Sequence, residues 1–231
     1  CVNELLAIAA AERRPVALMV RKDTFEPYQP TGQRAADFEM TREQAIEAVV
    51  AALGETDAIV STTGKISREL YECRDRAGQG HQQEFLTVGS MGHASQIAMG
   101  IALAKPDRQV FCLDGDGAVL MHMGGAAIVG AAGVANFKHV IFNNGVHDSV
   151  GGMATVGLRV SFTEIVKACG YTEAWRVERR EDLAEKVAQL RSARGPAMLE
   201  IMVQKGARDD LGRPKTSPIE NKTAFTEFLS H

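Results

Sequence analysis

Cysteine is scarce in this chain of 231 residues: there are four, Cys1, Cys73, Cys112 and Cys169, and no two stand at C-x-x-C spacing. That spacing leaves free buried thiols in a reducing compartment as the expectation. Positive charge is not in excess either. With 26 Lys and Arg against 29 Asp and Glu the net charge is -3, which lacks the electrostatic footprint of a nucleic-acid binder. No apolar run approaches the roughly 18 to 20 residues that cross a bilayer. No signal-peptide pattern, internal repeat or low-complexity tract stands out, so a cytoplasmic protein without membrane segments is expected.

What is present is an alternation of helix-period and strand-like segments. Val2, Leu5, Leu6, Ile8 and Ala9 recur at helical spacing until Pro15, and Val16 to Val20 is a strand-length apolar run. The chain opens on Cys1 and enters this helix directly, so an upstream segment is expected. Residues 1–24 are read as the last piece of a preceding α/β domain, 25–40 as a linker, 41–205 as the main domain and 206–231 as a C-terminal tail. Thr41 and Gln44 form a T-x-x-Q capping box that opens a helix through about Leu53. Strands are expected at Asp57–Ser61, Phe85–Val88, Val110–Leu113, Val140–Phe142, Tyr171–Val177 and Ala197–Val203. Helices are expected from Ile66, over Ala94–Ala104, over Phe162–Cys169 and over Arg180–Arg194. The order predicts an α/β fold, a doubly wound and mostly parallel sheet with helices on both faces. The tail is charged and turn-rich from Gly206 to Lys215, with an amphipathic piece from Asn221 to Leu229.

The chemistry concentrates between Val110 and Val146. Two continuously apolar runs flank a Gly- and Ala-rich segment, the pattern of a βαβ unit buried on both faces. One run ends in Asp114-Gly115-Asp116-Gly117 and the other in Asn143-Asn144-Gly145. The Asp116 carboxylate and the Asn144 amide oxygen are hard donors of the kind Mg²⁺ accepts, phosphate oxygens and water completing an octahedron. A dinucleotide-binding turn fits less well. Leu120 stands where the third glycine of G-x-G-x-x-G belongs, and Asp116 would repel a pyrophosphate unless a cation lay between them. On the residues alone, a structural Asp-Gly turn remains an alternative. Thr62-Thr63-Gly64-Lys65 is likewise either an anion-binding strand-to-helix turn or an ordinary one.

Gly115-Asp116-Gly117 followed at this distance by Asn143-Asn144 resembles the GDG...NN signature of the thiamine diphosphate (TPP) enzymes. The resemblance implies that Asp116, Asn144 and the carbonyl of Val146 bind Mg²⁺. It implies that Gly115, Gly117 and Ala118, with Thr63, Gly64 and Lys65, hold the diphosphate. Gly89-Ser90-Met91 would lie against the centre of the cofactor, Met91 wedged beneath it and the Gly89 carbonyl accepting a hydrogen bond from its aminopyrimidine.

The stretches NNGVHDSVGG, GSMGHASQIAMGIAL and GARDDLGRPKTSPIENK resemble more closely the phosphonopyruvate decarboxylases of that family, which form phosphonoacetaldehyde and CO₂. The sulfopyruvate decarboxylases share much of the pattern. Where the relatives carry Gly-Gly-Gln-Pro-Thr this chain has Gly151-Gly152-Met153-Ala154-Thr155, which leaves the choice between the two substrates open. His147, Asp148 and Ser149 follow the metal loop as catalytic candidates, and imidazole is the side chain suited to proton transfer near neutrality. Arg208, Arg213 and Lys215 are candidates for a substrate phosphonate. In such enzymes a glutamate on a pyrimidine-binding domain, normally from the neighbouring subunit, activates the cofactor. Residues 1–24 resemble only the end of that domain, so the chain is expected to be the diphosphate-binding half and inactive alone. A non-catalytic TPP-binding module and a phosphate-binding α/β domain without TPP are the competing readings.

Overall fold

A computed structural model describes residues 1–21, 23–26 and 37–231. The chain divides into two units, Cys1–Gln33 and Arg34–His231. In the first, α1 (Val2–Glu12) ends at Arg13, whose φ of 50° is left-handed, and none of its residues is buried. The expected strand at Val16–Val20 does not form. A strand requires a partner for its backbone groups, and no described segment pairs with this one. Most of the expected linker, residues 27–36, lies outside the described residues.

The second unit opens with α2 (Arg42–Ala51). Thr41 Oγ1 accepts the Gln44 N–H (3.2 Å) and Gln44 Oε1 accepts the Thr41 N–H (3.0 Å), so the expected capping box is formed. There follow β1 (Ala58–Ser61), α3 (Lys65–Arg76), β2 (Glu84–Leu86), α4 (Ala94–Ala104) and β3 (Val110–Gly115). The Gly- and Ala-rich segment is two helices, α5 (Asp116–Met121) and α6 (Gly124–Ala132), where one was expected. After β4 (Phe137–Asn143) comes a small antiparallel pair, β5 (Val146–His147) and β6 (Met153–Ala154). The unit closes with α7 (Phe162–Ala168), β7 (Glu173–Val177), α8 (Arg180–Ser192), β8 (Ala197–Met202) and α9 (Pro218–Ser230).

Six strands pair in the order β2-β1-β3-β4-β8-β7, every pair parallel. Alternate side chains point to opposite faces, and β3 shows the result. Phe111 and Leu113 join one core with Ile46 of α2, Leu70 of α3 and Val187 of α8. Val110 and Cys112 join the other with Ala98 of α4, Val129 of α6, Val166 of α7 and Phe225 of α9. The doubly wound sheet expected from the alternation is thus present. Within the second core His139 bridges Asp114 Oδ2 and the Tyr171 hydroxyl, each at 3.2 Å. All four cysteines are unpaired. Among the described residues no helix is long and apolar enough to cross a membrane.

From β1 the chain runs outward to β2, then returns past β1 to β3 and continues the other way to β4. The segments leaving β1 and β3 pack on opposite faces, which makes the gap between their carboxyl ends the crevice where open α/β sheets bind ligands. Phe111 is fully buried on the strand beside this crevice. Truncation to alanine is expected to lower the unfolding free energy by about 3–5 kcal/mol, and Thr41→Ala, which removes one cap, by about 1 kcal/mol. Urea denaturation of the two variants beside the unsubstituted chain measures both; equal losses would contradict this assignment of the core.

Candidate functional site

A cavity of about 220 Å³ occupies that crevice. Thr62, Thr63, Gly64 and Lys65 reach it from the end of β1, Gly115 to Ala118 from the end of β3, and Asn144, Val146 and His147 from the end of β4. Asp148, Ser149, Met91 and Arg42 also line it, with Ile66, Phe142 and Val150 as apolar wall. Segments distant in sequence therefore meet here because parallel strands deliver their carboxyl ends to one side.

Asp116 opens α5 and is 2% exposed. Its Oδ2 accepts a hydrogen bond from Thr155 Oγ1. Burial raises the carboxyl's pKa, opposed by Thr155, by the amides of Gly117 and Asn144 and by the nearby His147. The two asparagines that end β4 do different work. Asn143 is buried away from the cavity, donating to the Gly157 carbonyl (2.9 Å) and to Glu200 Oε1 (2.7 Å) and accepting the Gly145 N–H (3.1 Å). Asn144 faces the cavity. Its Nδ2 donates to Asp148 Oδ2 (2.7 Å) and its Oδ1 accepts the Val146 N–H (3.0 Å).

The three catalytic candidates also separate. The His147 ring lies so close against Gly117 that no Cβ would fit between them. Ser149 packs on Gly64, whose φ of +104° a side chain would resist and whose missing Cβ leaves room for the serine hydroxyl. Asp148 is occupied otherwise: Oδ2 takes Arg42 Nη1 (2.7 Å) as well as Asn144, and Oδ1 accepts the Gly206 N–H (3.0 Å). It holds the loop in shape.

Sequence reasoning missed Arg42. This guanidinium is 5% exposed and grips Glu69 with two nearly parallel bonds, Nε to Oε2 at 2.6 Å and Nη2 to Oε1 at 2.7 Å. It also donates to the Gly206 carbonyl at 3.1 Å. The one available signal was its position, because a cation in the first turn of a helix opposes the macrodipole and so needs another reason to be there.

Other candidates fall outside this cavity. Gly89 and Ser90 are exposed on the loop that brings Met91 to it; the Gly89 N–H donates to Thr63 Oγ1 (3.1 Å), and Ser90 has a left-handed φ of 47°. Arg208 is paired with Glu43 (2.9 Å), with Glu72 and with Asp210 (2.8 Å). Lys215 is paired with Asp75 (2.9 Å). Arg213 lines a neighbouring cavity instead.

The donor set suits a divalent cation bridged to a phosphate. Asp116, Asn144 and Val146 supply oxygens from two adjacent loops, and a cation would reverse the cost of burying the Asp116 charge. The Thr62 hydroxyl lines the same cavity, buried and without a hydrogen-bond partner in the structure. A ligand oxygen would satisfy it.

Residues 62–201 match the family described as "Thiamine pyrophosphate enzyme, C-terminal TPP binding domain". The chain belongs to this family. Within it, the chain is 40% identical over 190 residues to the phosphonopyruvate decarboxylase of Streptomyces viridochromogenes, covering 82% of this chain and 46% of that protein. It is 30% identical over 170 residues to the sulfopyruvate decarboxylase subunit beta of Methanothermobacter thermautotrophicus, covering 74% of this chain and 85% of that one. The chain thus spans about half the length of the phosphonopyruvate decarboxylases it matches. A solved structure described as a thiamin diphosphate-dependent enzyme from Mycobacterium smegmatis shares the fold, with a TM-score of 0.60 and 21% identity over 80% of this chain and 36% of that one. The TPP-binding match contains every wall of the cavity except Arg42.

Because burial raises the Asp116 carboxyl above its ordinary 3.8, the metal-free folded chain keeps that proton where the unfolded chain has released it. Stability from this group is full below the unfolded value and is lost as pH rises through the folded one. Asp116→Asn is therefore expected to unfold at higher urea than the unsubstituted chain at neutral pH with chelator present, and the gap should close in acid. An equal or lower midpoint for the variant at neutral pH would show that the carboxylate is not strained by burial.

Proposed function

We propose that this chain is the diphosphate- and Mg²⁺-binding half of a 2-keto acid decarboxylase that converts 3-phosphonopyruvate to phosphonoacetaldehyde and CO₂. The observation that carries the reading is the meeting of Asp116, Asn144 and Val146 with the starts of α3 and α5 in one crevice, in a chain 40% identical to named phosphonopyruvate decarboxylases. When bound, thiamine diphosphate supplies a carbon nucleophile for the keto group and a sink for the electron pair that CO₂ leaves behind.

The chain's own residues supply anchoring and positioning. Asp116 Oδ, Asn144 Oδ1 and the Val146 carbonyl hold Mg²⁺. The amides at the start of α5, with Thr63, Gly64, Lys65 and the Thr62 hydroxyl, take the diphosphate oxygens. Gly89 and Ser90 aim the loop from which Met91 supports the cofactor, and a ring nitrogen of His147, beside Gly117 at the cavity wall, would deliver the one proton, drawn from solvent, that replaces CO₂ on the product carbon. Asp148 positions Asn144, and Ser149 packs on Gly64 of the first diphosphate loop. Residues 1–24 are the end of a pyrimidine-binding domain joined through 25–40. The complete site forms with that domain in a cytoplasmic oligomer serving phosphonate biosynthesis. Sulfopyruvate is the second substrate reading, supported by the 85% coverage of a beta subunit.

Calorimetric titration tests the anchoring. TPP is expected to bind only with Mg²⁺, and Asp116→Ala should weaken it by about a hundredfold or more. Metal-independent binding would refute the assignment. Adding a complementary pyrimidine-binding half should yield decarboxylation, with phosphonopyruvate assayed against sulfopyruvate. In that complex His147→Ala should lower kcat by about a hundredfold with TPP affinity unchanged; an unaltered kcat would remove His147 from proton transfer.

A further inference from the structure

A second cavity, of about 380 Å³, adjoins the first and shares only Thr63 and Gly64 with it. The two therefore flank the first turn of α3. The wall of the second carries two guanidiniums, Arg68 of α3 and Arg213 of the segment after β8, and no lining residue is acidic. Among the described residues neither arginine forms an ion pair, whereas Arg208 and Lys215, on the same segment as Arg213, are both neutralised by carboxylates. The Thr216 hydroxyl lines the same cavity and is buried without a partner in the structure.

The other polar side chains at this wall are committed to the fold. Asn221 caps the backbone of β2, accepting the Leu86 N–H (3.0 Å) and donating to the Glu84 carbonyl (2.8 Å). Thr87 donates to the Ser61 carbonyl (2.8 Å) and Ser67 to that of Thr62 (2.6 Å). Thr63 Oγ1 accepts the Gly89 N–H (3.1 Å) and Ser217 Oγ the Glu220 N–H (3.3 Å). What remains is two planar cationic forks, which can only donate, and one hydroxyl able to donate beside them, the complement of a tetrahedral oxyanion.

We propose that this cavity binds the terminal oxyanion of the keto-acid substrate, a phosphonate or a sulfonate, through Arg68, Arg213 and Thr216. The location rests on the geometry, and the ligand rests on the decarboxylase reading above.

Methylphosphonate and methanesulfonate, titrated calorimetrically into the full chain at low ionic strength, test the site without any reaction. At least one should saturate, and its affinity should fall at least about tenfold in Arg68→Gln/Arg213→Gln and decline with added salt. The tighter of the two identifies the group. An unchanged affinity in the double variant, or saturation by neither probe, overturns the proposal. Should the double variant melt early by circular dichroism, Arg213→Gln alone decides, because that side chain lies on an exposed segment. Mg²⁺-dependent TPP binding separates this proposal from the reading it builds on. It should survive in the arginine variants, and probe binding should survive in Asp116→Ala. Probe binding that depends on the arginines in a chain without TPP binding keeps the site and removes the decarboxylase; the reverse removes the site alone.

Discussion

Around the buried guanidinium of Arg42, four stretches of chain converge: α2 that carries it, α3 through Glu69, the loop after β4 through Asp148, and the segment after β8 through Gly206. Charges this deep are retained only when each is matched, and losing one partner of such a group costs about 3–5 kcal/mol. The arrangement consequently behaves as a unit. It also settles the orientation of Asn144. Because Asp148 takes the Asn144 amide nitrogen, the amide oxygen is the end left beside Val146 and the proposed metal position. An ion pair at the cavity wall thus decides which end of an amide is presented.

Beyond this centre the site is a study in paired costs. Asp116 is buried as a carboxyl with a raised pKa and Thr62 as a hydroxyl without a partner. A fold that buries both at one cavity has the physical signature of a functional site, and the pair suits the metal and anionic ligand proposed for it. The parallel sheet makes the preparation affordable, since rigid strands on either side keep the loops from collapsing onto their own polar groups.

Much of the sheet was legible because its strands are buried on both faces and read as unbroken apolar runs, Val110 to Leu113 and Val140 to Phe142 among them. The start of α2 was legible for a local reason: Thr41 and Gln44 act within a few residues. Asp116 and Asn144 stood out because polar residues abruptly ended apolar strands. Arg42 did not, since its partners are 27 and 106 positions away and no periodicity reports them. Arg68 was equally silent on an amphipathic helix. The β5–β6 pair has two residues per strand, too few to show alternation, and the break between α5 and α6 falls at His122-Met123, which carry no helix-breaking signal. At Val16–Val20 composition alone suggested a strand, and composition cannot supply a neighbour.

The β5–β6 pair closes on itself: the Thr155 N–H donates to the Gly145 carbonyl at 2.8 Å, and the Thr155 hydroxyl reaches back to Asp116. Met153 and Ala154, where this chain departs from the Gly-Gly-Gln-Pro-Thr pattern, are exposed, and Gly151 and Gly152 sit at the bend with φ of 90° and 70°. The base of this clasp is therefore fixed to the Asp116 carboxylate while its tip is free to change. Lengthening a loop whose ends are already tied costs little, about 0.6 kcal/mol for each doubling. The tip is accordingly a natural graft point, where added residues could reshape access to the crevice and leave Asp116, Asn144 and Val146 in place.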